Sequence, residues 1–493
     1  MSITELDPKI VWKNFHALTQ IPRPSKHEEK VSEYLYNFGK SLGLETIRDE
    51  VGNIVIRKPA TPGFENRMGV ILQGHMDMVP QKNSDVDHDF EKDPISTWID
   101  GEWVKAKGTT LGADNGIGVA LALSILESKD IQHGPVEVLV TIDEETGMTG
   151  ANALSNKVLK GDLLVNCDSE SEGELCVGCA GGLDTNVSAR YARKKPRKDF
   201  QCWSLIVKGL RGGHSGMDIK LYRANSNILS ARIVFDLLAK AGVKLIDMEG
   251  GTLRNAIPRE TESTVYVPAA NVAKAQRIVA KAAEAIKQEF AIADPDIEVI
   301  FKPYECEEGC CCDPDECKYV EDGAAIRFMR AILACPNGVE RMSDSLVGLT
   351  ETSNNLAMVK IYKGRFTVKT LLRSSIDNAK LALARRIESA FKLAGCSVKF
   401  TGGYSGWAPN NASKILKVMK EVYKEKYGKD AEIVATHGGL ECGILGAKYP
   451  HWDMVSFGPT IMYPHSPDEK LFIPSVARSW DYIKSVLAAI PEK

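Results

Sequence analysis

Histidine and carboxylate side chains recur at places where apolar runs end or glycines cluster. They occur in five segments: GHMD (His75, Asp77), TTLGADNGIG (Asp114), DEE (Asp143, Glu144, Glu145), NCDSES (Asp168) and YPHSPDE (His465). A single histidine in a chain of 493 residues is more often structural than a metal ligand. Taken together, however, the segments supply a mixed set of imidazole nitrogens and carboxylate oxygens. Such ligands suit Zn²⁺, with Mn²⁺ or Co²⁺ as substitutes, so the set predicts a metal site.

The first segment pairs a histidine with a carboxylate two residues later. On an extended chain, residues two apart point to the same side, so His75 can face a metal with Asp77 beside it. A carboxylate in contact with a ligating imidazole fixes its tautomer and raises its basicity. The alternative is a buried His–Asp pair that only stabilises the end of a strand.

The next two segments carry the carboxylates of the predicted site. Asp114 lies between glycines at a strand-to-helix crossing, where it could also be an ordinary helix cap. The run from Asp143 to Glu145 follows an apolar strand, and three adjacent carboxylates there need a cation unless they form a solvated turn. One carboxylate can bridge two ions about 3.5–4 Å apart, as in two-metal hydrolases. That arrangement leaves Glu144 free to accept a proton from water.

Alternating strands and helices must position these residues. Short apolar runs at 69–73, 136–142, 162–166 and 454–457 predict strands buried on both faces, and helical patterns cover 26–43 and 116–127. Each strand leads into a polar cluster, and ligands of open α/β sheets bind at the carboxyl ends of strands. The pattern predicts an α/β domain with helices around the sheet, and one shared site.

The middle of the chain predicts a second domain of α+β type. From 203 the predicted order is a strand, a helix at 223–240, strands at 251–256 and 262–267, a helix at 271–290 and a strand at 296–302. A similar order follows: helix 321–334, strands 348–360 and 366–373, helix 377–394 and strand 397–402. We expect 187–400 to be an inserted domain of two related halves, with the first domain formed by 1–186 and 401–493.

Composition limits the possible partners and the compartment. The net charge of −3 gives no electrostatic case for nucleic acid or membrane binding. The N-terminal sequence MSITELDPKIVWKNF lacks the apolar core of a signal peptide, so we expect a cytoplasmic protein. The twelve cysteines are then expected to be free thiols or metal ligands rather than disulfides. Five of them lie in Cys306–Cys317, where a structural zinc knot or a cysteine-rich loop without special role are the alternatives.

The motifs, taken in order, resemble those of the aminoacyl-histidine dipeptidases (peptidase D, Xaa-His dipeptidases). The resemblance runs from about Val11 to the C-terminus and rests on GHMDMVP, TTLGADNGIG, TIDEETGMTGA, CDSE, GGHSG, RNAIPRE, LLRSS, HGGLECG and GPTIMYPHSPDE. That family belongs to a dizinc superfamily that includes aminoacylases and glutamate-releasing carboxypeptidases. The resemblance implies an α/β catalytic domain, with a mixed sheet flanked by helices, and an inserted two-half α+β lid.

The resemblance also implies a role for each site residue. Asp114 would bridge two Zn²⁺ ions, with His75 and Asp168 on one ion and Glu145 and His465 on the other. Glu144 would be the general base, and Asp77 would orient His75. In the lid, His214 would stabilise the carbonyl oxygen, and Asn255 and Arg373 would hold the substrate's C-terminal end. Gly439, outside the lid in HGGLECG, would supply a backbone contact in the same pocket. An arginine suits that end because its guanidinium can bind both carboxylate oxygens.

The implied activity is metal-dependent hydrolysis of dipeptides with a free C-terminus, Xaa-His dipeptides among them, by a homodimeric enzyme. A related dizinc deacylase or carboxypeptidase is the alternative, although the lids of those enzymes are usually about half the size of 187–400. A non-catalytic metal-binding protein on the same fold is disfavoured, since neither Glu144 nor any predicted ligand is missing.

Overall fold

The computed structural model describes residues 2–304 and 318–493. The cysteine cluster Cys306–Cys317 lies outside these residues, so its two alternatives stay predictions. The chain divides into two compact units. Unit 1 comprises Met1–Gly178, Pro409–Ala435 and Leu440–Lys493, and unit 2 comprises Cys179–Ala408 and Thr436–Gly439.

Unit 1 is built on an eight-stranded sheet and a smaller four-stranded sheet. In spatial order the large sheet contains Glu45–Arg48, Ile54–Lys58, Val136–Thr141, Val70–His75, Leu163–Asn166, Asp453–Ser456, Glu174–Cys179 and Glu432–Thr436. The small sheet contains Ile461–Met462, Lys470–Phe472, Trp103–Ala106 and Thr97–Asp100. The α-helices are Lys9–Thr19, Glu29–Ser41, Ala113–Glu127, Glu144–Gly147, Thr149–Ala153, Lys414–Tyr427, Glu441–Lys448 and Ile473–Ala489, and Ile3–Glu5 is a 3₁₀ turn.

The four strands predicted from apolar runs are neighbours in the large sheet. They are mutually parallel in the order Val136–Thr141, Val70–His75, Leu163–Asn166 and Asp453–Ser456. Their side chains are almost all buried, as the continuous apolar sequence requires of strands covered on both faces. Because the strands are parallel, their carboxyl ends meet at one edge of the sheet, and the predicted α/β fold is confirmed.

The helix Ala113–Glu127 runs through the core and is buried on nearly every side. Glycines allow it to lie against the strand ends. A Cβ atom on Gly118 would come within 2.2 Å of the Cys167 carbonyl oxygen, and one on Gly74 would come within 2.2 Å of Asn115 Oδ1. Real Cβ atoms do not approach other atoms so closely, so Gly74 of the first predicted segment and Gly118 of the second are required for packing.

Outside 305–317, unit 2 contains one large antiparallel sheet and four α-helices. The sheet order is Glu298–Pro303, Phe200–Lys208, Thr261–Pro268, Lys244–Gly250, Thr350–Tyr362, Arg365–Ser374, Gly181–Arg190 and Ser397–Tyr404, with Gly338–Met342 paired to Thr350–Tyr362. The helices are Ser226–Ala241, Val272–Glu289, Asp322–Ala334 and Asp377–Leu393, with 3₁₀ turns at Ile219–Leu221 and Ala269–Asn271. Two-stranded pairs join Arg193–Lys194 with Tyr319–Val320, and Gly213–His214 with Ala256–Ile257.

The sheet of unit 2 consists of two halves with the same β-α-β-β-α-β order. In the first half, strands one to four (Phe200–Lys208, Lys244–Gly250, Thr261–Pro268, Glu298–Pro303) lie in the spatial order 4-1-3-2. In the second half, Gly181–Arg190, Thr350–Tyr362, Arg365–Ser374 and Ser397–Tyr404 lie in the mirrored order 2-3-1-4. Lys244–Gly250 and Thr350–Tyr362 pair antiparallel and join the halves. The predicted pair of related α+β halves is therefore present, each of ferredoxin-like topology.

One predicted strand of unit 2 is wrong. The strand expected at 251–256 lies at Lys244–Gly250 instead. A register shift between Leu245 and Asp247 interrupts the alternation, so the two buried apolar side chains, Leu245 and Met248, are three residues apart rather than two or four. Without a regular period of two, the segment lacks the sequence pattern of a strand.

Within residues 2–304 and 318–493, no helix combines the length and the apolar character needed to cross a bilayer.

Candidate active site

The parallel strands of unit 1 bring the predicted ligand residues to one edge of the sheet. His75 is the last residue of its strand, Glu144 begins the short helix after Val136–Thr141, and Asp168 follows Leu163–Asn166 by two residues. His465 follows the short strand Ile461–Met462 and has a φ of 59°, in the left-handed region that is costly for a histidine. Strained backbone of this kind is common at functional sites.

Asp114 lies between the two predicted histidine ligands. Its Oδ1 is 3.1 Å from His75 Nε2, and its Oδ2 is 3.1 Å from His465 Nε2. Each imidazole nitrogen faces a second carboxylate, since His75 Nε2 is 3.4 Å from Asp168 Oδ1 and His465 Nε2 is 3.0 Å from Glu145 Oε2. The five residues thus form two groups of three, His75–Asp114–Asp168 and His465–Asp114–Glu145. Asp114 belongs to both groups and contributes one carboxylate oxygen to each.

Asp77 contacts His75 on the side away from the carboxylates. Asp77 Oδ1 is 3.2 Å from His75 Nδ1, and the Asp77 carboxylate also accepts hydrogen bonds from Ser25 Oγ at 2.8 Å and from the backbone N–H groups of Glu144 at 3.0 Å and Glu145 at 3.3 Å. Asp77 is fully buried. It therefore fixes the His75 ring and connects it to the segment that carries the next carboxylates.

The spacing of these atoms fits divalent metal ions. Two ligand atoms on one tetrahedral Zn²⁺, each about 2.0–2.2 Å from the ion, lie roughly 3.3–3.6 Å apart. The histidine-to-carboxylate distances in the two groups are 3.0–3.4 Å. In addition, the buried Glu145 Oε1 has no hydrogen-bond partner among the described residues. Both observations fit the binding of metal at this cluster.

The protonation behaviour of the cluster shows an excess of negative charge. Hydrogen bonds to Asp114 and Glu145 raise the pKa of His465 to about 11. Burial opposes protonation of His75, but Asp168, Asp114 and Asp77 hold its pKa well above the usual value. Burial and the nearby charges of Asp114 and Glu145 raise the pKa of Asp168 to about 6, against the opposing effect of His75. The same carboxylates that keep the histidines protonated also favour a bound cation in place of those protons.

Glu144 lies beside this cluster without belonging to either group of three. Its backbone N–H donates to Asp77 Oδ1, which sets the position of the residue. Burial raises the pKa of the Glu144 carboxyl well above its usual value; the His75 charge opposes this shift, while Asp168 and Glu441 add to it. A carboxylate of raised pKa is a better proton acceptor, as a general base requires.

Two buried residues that sequence analysis missed organise the segments around Asp114. Glu469 accepts hydrogen bonds from four consecutive backbone N–H groups, Leu111 to Asp114. Arg23 donates to the carbonyl oxygens of Met76 at 2.9 Å, Asp77 at 3.0 Å and Gly112 at 2.5 Å. Glu469 is the last residue of SPDE, so its motif was recognised although its role was not. Arg23 lies in IPRPSK, which belongs to none of the recognised motifs, so a single sequence does not reveal its role.

A third missed residue, Glu441, lies in HGGLECG and is 1% exposed. Its carboxylate accepts from Gln73 Nε2 and Thr141 Oγ1, both at 2.6 Å, and burial raises its pKa to about 8. Gln73 lies on the same strand as His75, and Thr141 ends the neighbouring strand. Glu441 therefore stabilises the ends of the strands next to the predicted ligands.

The predicted substrate-binding residues all belong to unit 2. The Ser215 N–H donates to the Asn255 carbonyl oxygen at 2.8 Å, which places Asn255 next to His214. Arg373 Nη1 donates to the His437 carbonyl oxygen at 3.5 Å. A Cβ on Gly216 would lie 3.0 Å from His214 Cε1 and 3.1 Å from the same His437 oxygen. Arg373 thus contacts the segment Thr436–Gly439, which ends with the predicted Gly439, and Gly216 lies between this segment and His214.

The electrostatics of this group favour an anionic ligand. Partial burial lowers the pKa of His214, and the charge of Arg373 lowers it further. Burial and the same arginine lower the pKa of His437 to about 3, so both imidazoles are neutral at pH 7. Arg373 Nε is buried and has no hydrogen-bond partner among the described residues. A guanidinium with a free donor next to neutral histidines is suited to bind a carboxylate.

Comparison with known proteins identifies the family. Residues 71–489 match the model of peptidase family M20/M25/M40. The chain is 43% identical to the cytosol non-specific dipeptidase of Escherichia coli K12, over 100% of this chain and 99% of the relative. It is 45% identical to the aminoacylhistidine dipeptidase of Vibrio alginolyticus, whose crystal structure superposes with a TM-score of 0.94 and covers 100% of this chain and 99% of that one.

A more distant structure, the aminopeptidase PepT of Bacillus cereus, is 16% identical with a TM-score of 0.57 and covers 98% of this chain and 99% of its own, which shows a similar fold alone. The family match and the two full-length relatives carry the assignment. The chain belongs to peptidase family M20/M25/M40 and is a metal-dependent peptidase.

Proposed function

We propose that this peptidase hydrolyses dipeptides with a free C-terminus, Xaa-His dipeptides among them, with a two-zinc centre. His75 and Asp168 would hold one Zn²⁺, Glu145 and His465 the other, and Asp114 would bridge them. Mn²⁺ or Co²⁺ could substitute. The main support is the position of Asp114, whose two carboxylate oxygens each lie 3.1 Å from a different histidine nitrogen.

Bound zinc ions would polarise the scissile carbonyl and lower the pKa of the attacking water. Glu144 would accept the proton of that water and pass it to the leaving amine. Its raised pKa supports this role, because a base that is too weak could not hold the proton between the two steps. Asp77 would hold His75 in one tautomer through the contact at Nδ1.

We further propose that 187–400 is a lid domain that supplies most of the substrate contacts, and that Gly439 adds a contact from outside this range. His214 would donate a hydrogen bond to the oxygen of the scissile carbonyl, while Asn255, Arg373 and Gly439 would bind the C-terminal end of the dipeptide. The support is the group these residues form in unit 2, where Arg373 keeps a donor free. A carboxylate contact of this kind would select short substrates with a free C-terminus.

The same proposal includes a cytoplasmic location and a homodimer, without nucleic acid or membrane partners. The names of the two full-length relatives support dipeptides as substrates, and one of these proteins is named for the cytosol. The net charge of −3 gives no reason to expect a polyanionic partner.

The proposal is tested by hydrolysis of a dipeptide panel, including Xaa-His dipeptides, with Zn²⁺-reconstituted enzyme. N-acetyl amino acids and longer peptides serve as competing substrate classes. We expect dipeptides to be cleaved with the highest kcat/KM. Preferential cleavage of N-acetyl amino acids would instead assign the chain as a deacylase.

A further inference from the structure

Glu469 holds the backbone of the segment that carries Asp114 through four hydrogen bonds. Its Oε2 accepts from the N–H groups of Leu111 at 2.7 Å and Gly112 at 3.0 Å, and its Oε1 from those of Ala113 at 2.8 Å and Asp114 at 3.2 Å. Glu469 is only 1% exposed. A buried carboxylate with four N–H donors is a strong and geometrically restrictive set of charge-assisted hydrogen bonds.

The backbone at Asp114 needs such support. The helix begins at Ala113, yet Asp114 (φ −78°, ψ 112°) and Asn115 (φ −102°, ψ 26°) are not helical. Regular helical hydrogen bonds therefore do not fix Asp114, and the preceding Gly112 provides no capping side chain. The first N–H groups of a helix lack partners within the helix, and here Glu469 supplies them.

Glu469 also joins two of the segments that meet at the site. It follows His465 by four residues in the same loop, so a single short stretch carries both a predicted ligand and the carboxylate that holds Asp114. On the other side, Arg23 joins the Gly112 carbonyl to those of Met76 and Asp77, next to His75. Two buried, oppositely charged side chains thus fix three segments relative to one another.

We propose that Glu469 is a positioning residue that sets the Asp114–His465 geometry and thereby the affinity of the metal centre, without touching metal or substrate. This inference rests on the proposed two-zinc function. Partners that orient metal ligands typically contribute 10–100-fold to metal affinity. Glu469→Gln keeps the size of the side chain but removes its charge and turns an amide N–H₂ towards N–H donors. We expect it to bind Zn²⁺ at least about 10-fold more weakly.

Glu137 offers a matched control at the other end of the strands. It is also a buried carboxylate in unit 1, and it accepts from the backbone N–H groups of Lys160 and Gly161, both at 2.7 Å, and from Arg57 Nε at 2.8 Å. Glu137→Gln should lower the Tm, because it too loses charge-assisted hydrogen bonds from backbone N–H groups. Its Zn²⁺ affinity should stay that of the wild type.

The experiment measures Zn²⁺ dissociation constants by competition with a chromogenic chelator, together with Tm, kcat and KM at limiting and saturating Zn²⁺. For Glu469→Gln we expect weaker Zn²⁺ binding, activity that recovers at saturating Zn²⁺, and a KM within about twofold of wild type. Glu469→Asp, which keeps the charge but withdraws it by one methylene group, should also bind Zn²⁺ more weakly, and it provides the test if the glutamine variant does not fold.

Unchanged Zn²⁺ affinity in a folded Glu469 variant would overturn the proposal, and so would an equal loss of affinity in Glu137→Gln. Failure of the proposed function looks different, since the wild-type chain itself would then bind no Zn²⁺ or cleave no dipeptide.

Discussion

Replacement of Asp114 by alanine is the most direct test of the shared carboxylate. The substitution removes both oxygens that lie 3.1 Å from His75 and His465, so each proposed ion drops from three protein ligands to two. Loss of a partner that only orients a ligand costs 10–100-fold in metal affinity. Loss of the ligand itself should cost at least about 100-fold for each ion, or about 2.7 kcal/mol at 1.36 kcal/mol per tenfold change.

The assay is elemental analysis after gel filtration with a weak chelator, followed by Zn²⁺ titration and measurement of dipeptide hydrolysis. The wild-type protein should retain about two ions per chain. Asp114→Ala should retain fewer than one and lose most of its activity, and added Zn²⁺ should not restore full turnover because the geometry of both sites has changed.

Asp143→Asn is a suitable control, since Asp143 is buried in the neighbouring segment but accepts hydrogen bonds from the hydroxyl groups of Thr146 and Thr149. It should keep both ions. Full metal occupancy in Asp114→Ala would refute the bridging role. Selective loss of one ion, with normal affinity for the other, would make Asp114 a ligand of a single site.

Three further substitutions separate the proposed catalytic and binding roles. Glu144→Gln should keep its metal content while kcat falls by about 10²–10⁴-fold, the usual contribution of a general base, as measured by steady-state kinetics and elemental analysis. His214→Ala should lower kcat by about 10²–10³-fold, as expected for loss of an oxyanion donor, and leave the metal content and circular dichroism spectrum unchanged. Arg373→Ala should raise KM for dipeptides with a free C-terminal carboxylate and affect C-terminally amidated dipeptides much less, which a paired substrate series would measure.

Each of these substitutions has a contradictory outcome. Near-normal turnover of Glu144→Gln would remove Glu144 as the base, and loss of metal would make it a ligand instead. A kinetically silent His214→Ala would remove His214 from the catalytic residues. Equal losses for free and amidated dipeptides would show that Arg373 does not recognise the carboxylate.

Sequence analysis located the edge of the sheet where His75 and Asp168 meet, because the signals for it are local. The strand that ends at His75 is a continuous apolar run with a polar cluster directly behind it, and parallel strands of this kind must align their carboxyl ends. The meeting of His75 and Asp168 therefore follows from two short patterns, although the residues are far apart in sequence.

The supporting residues could not be found in the same way. Glu469 and Arg23 act on backbone groups, and any sequence offers the same N–H and carbonyl groups at every position. Only the folded chain shows which of them a buried charge reaches. The strand Lys244–Gly250 was missed for a different reason, since its register shift removes the period on which strand prediction depends.

The order of strands in unit 2 has a consequence for synthesis on the ribosome. The first half is a continuous stretch that is complete once Pro303 has been made. The strand Gly181–Arg190, made earlier, must wait for its neighbours Arg365–Ser374 and Ser397–Tyr404. At about 5–20 residues per second, the delay from Pro303 to Tyr404 is roughly 5–20 s. During that interval both edges of Gly181–Arg190 lack their native partner strands. Nascent chains of this length are therefore the ones we expect to depend most on chaperones.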